Sequence, residues 1–266
     1  MNEPVRILSD LHLGHKISRI SNISALRPLI AGAGTIVFNG DTWQELARPF
    51  RVRSAAMLEE LKSFCAEEGA HPIFLPGNHD PGWPGPGWLE LAEGKIVIMH
   101  GDALLTEGSP WKREILVNGE RVRELWRNHP QAGYDVTQRL QVAREIASNL
   151  CSVEYPIGRH FLQRAWDAVL PPLRAVKMIE AWLTQGSAGA TFCDTYFPKA
   201  EVLIIGHFHW QGSWLAHGRQ VINTGSFTSP GRAHWVEWSE GVLRRGVIEE
   251  SPENCRMGKI SDVWRW

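Results

Sequence analysis

Pro72-Ile73-Phe74-Leu75 runs straight into Pro76-Gly77-Asn78-His79-Asp80. A short apolar run breaks at once into an amide, an imidazole and a carboxylate, with Pro and Gly to turn the chain. The same junction, a buried strand ending in polar side chains, recurs along the sequence. Residues 5–8 lead into Ser9-Asp10-Leu11-His12-Leu13-Gly14, and residues 35–38 into Asn39-Gly40-Asp41. Residues 95–99 lead into His100-Gly101-Asp102, and residues 202–205 into Gly206-His207-Phe208-His209. Helical segments separate the first three strands: residues 21–31, then 54–68 with Ala55, Leu58, Leu61, Phe64 and Cys65 at helical spacing. Alternating strand and helix predict an α/β fold with parallel strands. Ligand-binding side chains collect at the carboxyl ends of such strands, so the five polar clusters are expected to converge on one site.

Beyond His209 the pattern changes to short strands at 213–216, 220–223, 233–238 and 242–248, with turns at Gly218, Gly231 and Gly241. They predict an antiparallel second sheet. Residues 249–266 are polar with two isolated tryptophans and read as a C-terminal tail, either a surface tail or a docked terminus. The stretch from 101 to 199 is mostly helical in pattern and too long for a loop inside a compact domain, so it reads as a helical cap inserted between core segments 1–100 and 200–248. Its helices are expected at 135–150, at 158–170 before Pro171-Pro172, at 173–183, and more briefly at 120–127. Residues 81–88, rich in Gly and Pro, form a loop.

Among the 266 residues, 28 basic side chains face 29 acidic ones, for a net charge of −1. That balance supplies no global field for nucleic acid or an anionic membrane. Residues 101–200 contain 12 basic and 11 acidic side chains, so the insertion offers no basic groove and a nuclease is disfavoured. Cys65, Cys151, Cys193 and Cys255 are too scattered for a zinc ribbon or a disulfide framework and fit a reducing compartment. Met1-Asn2-Glu3-Pro4 does not open a signal peptide, and no run approaches the roughly 20 apolar residues of a membrane span. A cytoplasmic protein is expected.

Asp10 and His12 are two residues apart, as are His207 and His209, so each pair projects to one side of an extended backbone and can chelate. Carboxylate, imidazole and amide donors without thiolate suit Mn²⁺, Fe or Zn²⁺. Asp10, His12, Asp41, Asn78, His100, His207 and His209 exceed the needs of one ion. Two ions about 3.5 to 4 Å apart, bridged by one carboxylate, would use them all and form a clamp for displacement at phosphorus. His79, beside Asn78, is left to stabilise developing charge or to protonate the leaving oxygen. Asp80 and Asp102 either orient imidazoles or serve as turn residues. Arg48 and Arg51, with Arg53, either meet a substrate phosphate or start a solvated helix. Trp83 and Trp88 either wall a substrate or pack their loop.

Asp10-x-His12, Gly40-Asp41, Gly77-Asn78-His79-Asp80, His100 and Gly206-His207-x-His209 together resemble, in order, the five motifs of calcineurin-like metallophosphoesterases. The resemblance implies a sandwich of two mixed sheets between helices, a four-layer α/β/β/α arrangement. It also implies two divalent cations, Mn²⁺ ahead of Fe, Zn²⁺ or Mg²⁺. Asp10, His12 and His209 would hold the first, Asn78, His100 and His207 the second, and Asp41 would bridge them. The implied reaction is hydrolysis of a phosphoester or pyrophosphate by metal-bound hydroxide, with His79 at the catalytic histidine position. Asn39 stands where the family has an aliphatic residue or Gly.

The Ser9-Asp10-Leu11-His12-Leu13 opening, His100-Gly101-Asp102 and the helical insertion resemble bacterial UDP-2,3-diacylglucosamine pyrophosphatases. In those enzymes the insertion shelters acyl chains, which implies a lipid-nucleotide substrate and peripheral contact with the inner membrane through an apolar cap. The best-known members of that group carry Arg where this chain has His79. A phosphoprotein or nucleotide phosphatase is the alternative within the family. A non-catalytic interaction module would have lost ligands, and here all seven and His79 are present.

Overall fold

Successive side chains along β1 (Val5–Leu8) serve opposite faces. Val5 and Ile7 join one hydrophobic cluster and Leu8 another, as the twofold period of a strand dictates. The computed structural model describes residues 1–111, 113–150, 172–251 and 253–266. In it β2 (Thr35–Asn39) runs parallel to β1, and β3 (His71–Leu75) parallel to β2. On the other side of β1, β9 (His234–Ser239), β10 (Val242–Glu250) and β11 (Cys255–Arg265) add antiparallel, giving the order β11-β10-β9-β1-β2-β3. A second sheet runs β4-β5-β6-β8-β7, built from β4 (Trp88–Leu91), β5 (Ile96–Met99), β6 (Val202–Ile205), β7 (Gly212–Ala216) and β8 (Arg219–Asn223).

The two sheets face each other through Ile7, Val37, Ile98, Ile204, Ile222 and Val236. The other face of the first sheet, with Ile36 and Phe38, packs on Leu26 and Leu29 and on Leu61 and Cys65. Those residues belong to the turn before α1, to α1 (Arg27–Ile30) and to α2 (Arg48–Glu67). The other face of the second sheet, with Met99, Leu203 and Ile205, packs on Leu140, Ala190 and Cys193. These lie on α5 (Val136–Leu150) and α6 (Pro172–Tyr196). The result is the four-layer α/β/β/α sandwich that the family resemblance implies.

Three expectations need correction. The strands after His209 do not make one antiparallel sheet: β8 lies parallel to β6 in the second sheet, whereas β9 and β10 extend the first. Val221 and Ile222 are both buried, which marks β8 as an inner strand covered on both faces. Residues 249–266 are not a tail. They form the last residues of β10 and the edge strand β11, whose polar sequence is that of a sheet edge protected by charge; Trp264 packs against the inter-sheet core and Trp266 lies edge-on to Trp238 at 5.6 Å. Finally, α2 starts at Arg48 rather than at residue 54, because its first turns carry exposed Arg48, Arg51 and Val52 that hide the periodicity.

The segment between β5 and β6 also contains α3 (Arg113–Val117) and α4 (Gly119–Asn128), which close with α5 over Ile115, Val122, Leu125 and Ile146. The helix expected at 158–170 lies outside the described residues. α6 runs well past the expected residue 183, since Gly186, Ser187 and Gly189 mask its periodicity. Those small residues let it lie close on the sheet: a Cβ at Gly189 would press on Val221 and Leu203. No helix among the described residues is long and apolar enough to cross a membrane.

Phe38 is fully buried and stacked on Phe74 at 5.0 Å, one residue before Asn39-Gly40-Asp41. Phe38→Ala is expected to lower unfolding free energy by about 3 to 5 kcal/mol in urea titration.

Candidate metal centre

The site forms where β1, β2, β3, β5 and β6 end. Backbone bonds splice the five loops that follow: Asp10 N–H donates to the Gly40 carbonyl at 3.1 Å, His12 N–H to Asp41 at 2.9 Å, and Gly206 N–H to His100 at 2.9 Å. Asp10, His12, Asp41, His207 and His209 all take left-handed backbone, with φ of 52°, 47°, 50°, 64° and 53°. Each such residue costs on the order of 1 kcal/mol, and clusters of this kind mark functional loops. Gly206 packs against the Asp10 carboxylate and Gly77 against that of Asp41, so closely that a Cβ on either would collide with it.

Two groups of donors result. Asp10, His12, Asp41 and His209 offer atoms within 4.8 Å of one another, and so do Asp41, His100 and His207. Asp41 belongs to both. Its Oδ2 is 3.6 Å from His12 Nε2, and its Oδ1 is 3.5 Å from His100 Nε2. In the first group His209 Nε2 lies 3.1 Å from Asp10 Oδ1 and 3.2 Å from His12 Nε2. Next to the second, Asn78 Oδ1 lies 3.4 Å from His100 Nε2. The structure thus brings together all seven residues picked as ligands from the sequence.

These residues fit divalent cations. His207 Nε2 is buried with no hydrogen-bond partner among the described residues, a cost that a Lewis-acid partner would remove. Two buried carboxylates converge with four imidazoles, which suits N/O ligation. Burial works to raise Asp41, yet the surrounding imidazoles of His100, His79 and His12 hold it well below the usual carboxylate range. Burial pushes His12 down and His207 down to about 3, keeping both imidazoles neutral and able to ligate. The same burial works to lower His100, but the Asp41 carboxylate beside it holds that imidazole well above its usual range, so His100 would release a proton on ligation, unlike the rings of His12 and His207.

Partners outside the two groups orient the rings. His100 Nδ1 lies 3.0 Å from the Asn39 carbonyl, which aims Nε2 inward. The Asn39 amide donates to the Met99 carbonyl at 2.9 Å and so stitches β2 to β5 across the two sheets. Thr228 Oγ1 sits 3.2 Å from His209 Nδ1. Gln44, fully buried, lies between His12 Nδ1 at 3.0 Å and His79 Nδ1 at 2.9 Å. The sequence reading missed Gln44 and Thr228; Gln44's one signal is its place three residues after Asp41.

The curated protein UDP-2,3-diacylglucosamine hydrolase of Ralstonia nicotianae is 32% identical over 131 residues, 41% of this chain and 47% of that protein. The chain spans about half the length of the curated relative it matches. No family model matches it. Similar solved structures include a dimetal phosphatase from Danio rerio, 12% identical, covering 91% of this chain and 96% of that one at a TM-score of 0.46. A Vps29 single mutant from Entamoeba histolytica is 13% identical over 98% of both chains at 0.47.

The remaining residues picked from the sequence take plainer places. Asp80 is fully buried and orients no imidazole; it accepts from the N–H groups of Gly77, Asp41 and Thr42 at 2.9 to 3.0 Å, and from Trp43 and Trp83 Nε1 at 3.3 and 3.1 Å. Burial and the nearby Asp41 charge push its carboxyl up, and the donors pull against them. Asp102 accepts from the Ala103 N–H at 3.0 Å, as a turn residue does. Arg48 and Arg51 are exposed on the first turns of α2. Trp83 stacks on Phe74 at 4.5 Å and packs its loop, whereas Trp88, expected in the same loop, is the first residue of β4 and lies edge-on to Phe197 at 5.8 Å.

An amide at position 80 cannot accept from donors on both sides. Asp80→Asn is expected to cost at least about 2 kcal/mol in denaturant unfolding and to weaken Mn²⁺ binding by calorimetry, although Asp80 touches no ion.

Proposed function

We propose that the chain is a metal-dependent phosphoric ester hydrolase acting on a pyrophosphate-linked nucleotide lipid of the UDP-diacylglucosamine type. The observation that carries the reaction class is the Asp41 carboxylate, which offers one oxygen to each of two donor groups. In this reading Asp10, His12 and His209 hold one ion, Asn78, His100 and His207 the other, and Asp41 lies between them. Mn²⁺ is the ion proposed for both positions. When bound, such a pair supplies Lewis acidity toward phosphoryl oxygens and toward attacking water.

The chain's own side chains do the rest. Asp10 and Asp41 fix the negative charge of the cradle, and the surrounding sheets exclude water from it, since every proposed ligand except His209 is buried. The His79 side chain is 15% exposed and the His209 side chain 29%, so a substrate enters between these two rings. His79 Nε2, 4.0 Å from Asp41 Oδ2, is placed to hold a proton against the leaving oxygen.

The lipid part rests on the relative's name and on a cavity. About 500 Å³ lies between α3, α4 and α6, with apolar walls from Ile115, Leu116, Val122 and Trp126 and with Arg123 and Lys177 also lining it. That volume suits a ligand chain. Ile115 also lines a small recess that reaches Asn78, so the cavity and that recess share a wall. Val176, Ile179 and Leu183 are exposed on one stripe of α6, which supports the cytoplasmic chain touching the inner membrane there.

Purified protein with Mn²⁺ is expected to hydrolyse a chromogenic phosphodiester, and Asp41→Asn to abolish it. His79→Ala is expected to lower turnover by roughly 10²- to 10⁴-fold with metal content unchanged; loss of both ions in that variant would make His79 a ligand instead. Filling the cavity with Val122→Trp should raise KM for UDP-diacylglucosamine at least about tenfold and spare the chromogenic substrate. Equal effects on both would count against the lipid reading.

A further inference from the structure

Gln44 donates its backbone N–H to Ser54 Oγ at 2.8 Å, and both residues are fully buried, so its side chain is held in one place. The amide spans two imidazoles. Nε2 is 3.0 Å from His12 Nδ1, and Oε1 is 2.9 Å from His79 Nδ1. An amide has one donating end and one accepting end, so it forces opposite protonation on the two nitrogens it touches. With Nε2 toward His12 and Oε1 toward His79, hydrogen bonding to neutral rings requires His12 Nδ1 to accept from Gln44 and His79 Nδ1–H to donate to it. One proton then remains on His12 Nε2 and none on His79 Nε2.

A cation in the first donor group reverses this arrangement. His12 faces Asp10, Asp41 and His209 through Nε2, and a ligating nitrogen carries no proton. The His12 proton must then sit on Nδ1, which needs an acceptor. Gln44 provides one by turning its amide through 180°, a change of orientation that leaves its shape unchanged. The donating end then meets His79 Nδ1, and the His79 proton moves to Nε2, the nitrogen that faces Asp41. Each ring keeps one proton throughout, exchanged through water.

We propose that Gln44 is a positioning residue that couples metal occupancy at His12 to the tautomer of His79, placing an N–H at His79 Nε2 only when the first ion is bound. In an unloaded site His79 Nε2 then offers no N–H to a phosphoester. This inference rests on the metal reading above.

The test uses the full chain labelled with ¹⁵N-histidine, with Zn²⁺ as a diamagnetic probe and the His12 and His79 signals assigned by substitution. On adding Zn²⁺, His12 Nε2 should show the shift of a metal-bound nitrogen. His79 Nδ1 should change from a protonated to an unprotonated nitrogen, and Nε2 the reverse. In the isosteric Gln44→Glu variant a carboxylate accepts from both rings, so His79 Nδ1 should keep its proton with Zn²⁺ bound. A His12 signal that moves while the His79 tautomer stays fixed overturns the coupling and leaves the metal reading intact. His79 behaving alike in wild type and Gln44→Glu overturns it as well. A His12 signal that does not respond to Zn²⁺ overturns both.

Discussion

Asp41 has to present its two carboxylate oxygens to groups that stand on different sheets, His12 after β1 and His100 after β5. A buried carboxylate is tolerable only when its charge is matched and its lone pairs are used. This constraint sets the architecture around it. The two sheets must meet with their parallel strands ending along one seam, and Asn39 ties β2 to β5 at that seam. The inter-sheet core of alternating Val and Ile residues holds the sheets in the register that this meeting requires.

Strain collects in the same place. Five of the proposed ligands lie in left-handed backbone, and their loops are held by carbonyls of neighbouring loops rather than by helix or sheet. Asp80 supports this arrangement from below. Its carboxylate gathers N–H groups from both the Gly40-Asp41 turn and the Gly77-Asn78 turn, so two strand ends share one anchor. Conformations that are unfavourable singly persist because the surrounding bonds over-determine them.

The helical segment between β5 and β6 is joined to the site more closely than an appended cap need be. Trp111 lies edge-on to His207 at 5.2 Å, and Trp182 Nε1 donates to the Phe208 carbonyl at 2.9 Å. α6 also supplies the outer layer over the second sheet. Contacts to the loop of His207 and Phe208 and side chains that line the apolar cavity therefore come from the same stretch of chain.

The sequence alone determined an α/β fold and picked out the seven proposed ligands, because each strand is a short apolar run that breaks at once into donors of ligating type; the sandwich of two sheets entered only through the family resemblance. Pairs such as Asp10 and His12 are close in sequence, so spacing flags them, although both take left-handed rather than extended backbone and His207 and His209 fall in different donor groups. Sheet membership was not local. β8 and β9 carry similar apolar patterns, and only packing sends one beside β6 and the other beside β1. The polar β11 looked like a tail because an edge strand buries little and has few apolar residues to display. Gln44 was invisible for a related reason: an amide between two rings carries no periodicity and no charge, and its role exists only once residues 12, 44 and 79 are folded together. Tertiary structure decided which neutral groups set the protonation of the ligands, since that depends on hydrogen-bond partners far apart in the chain.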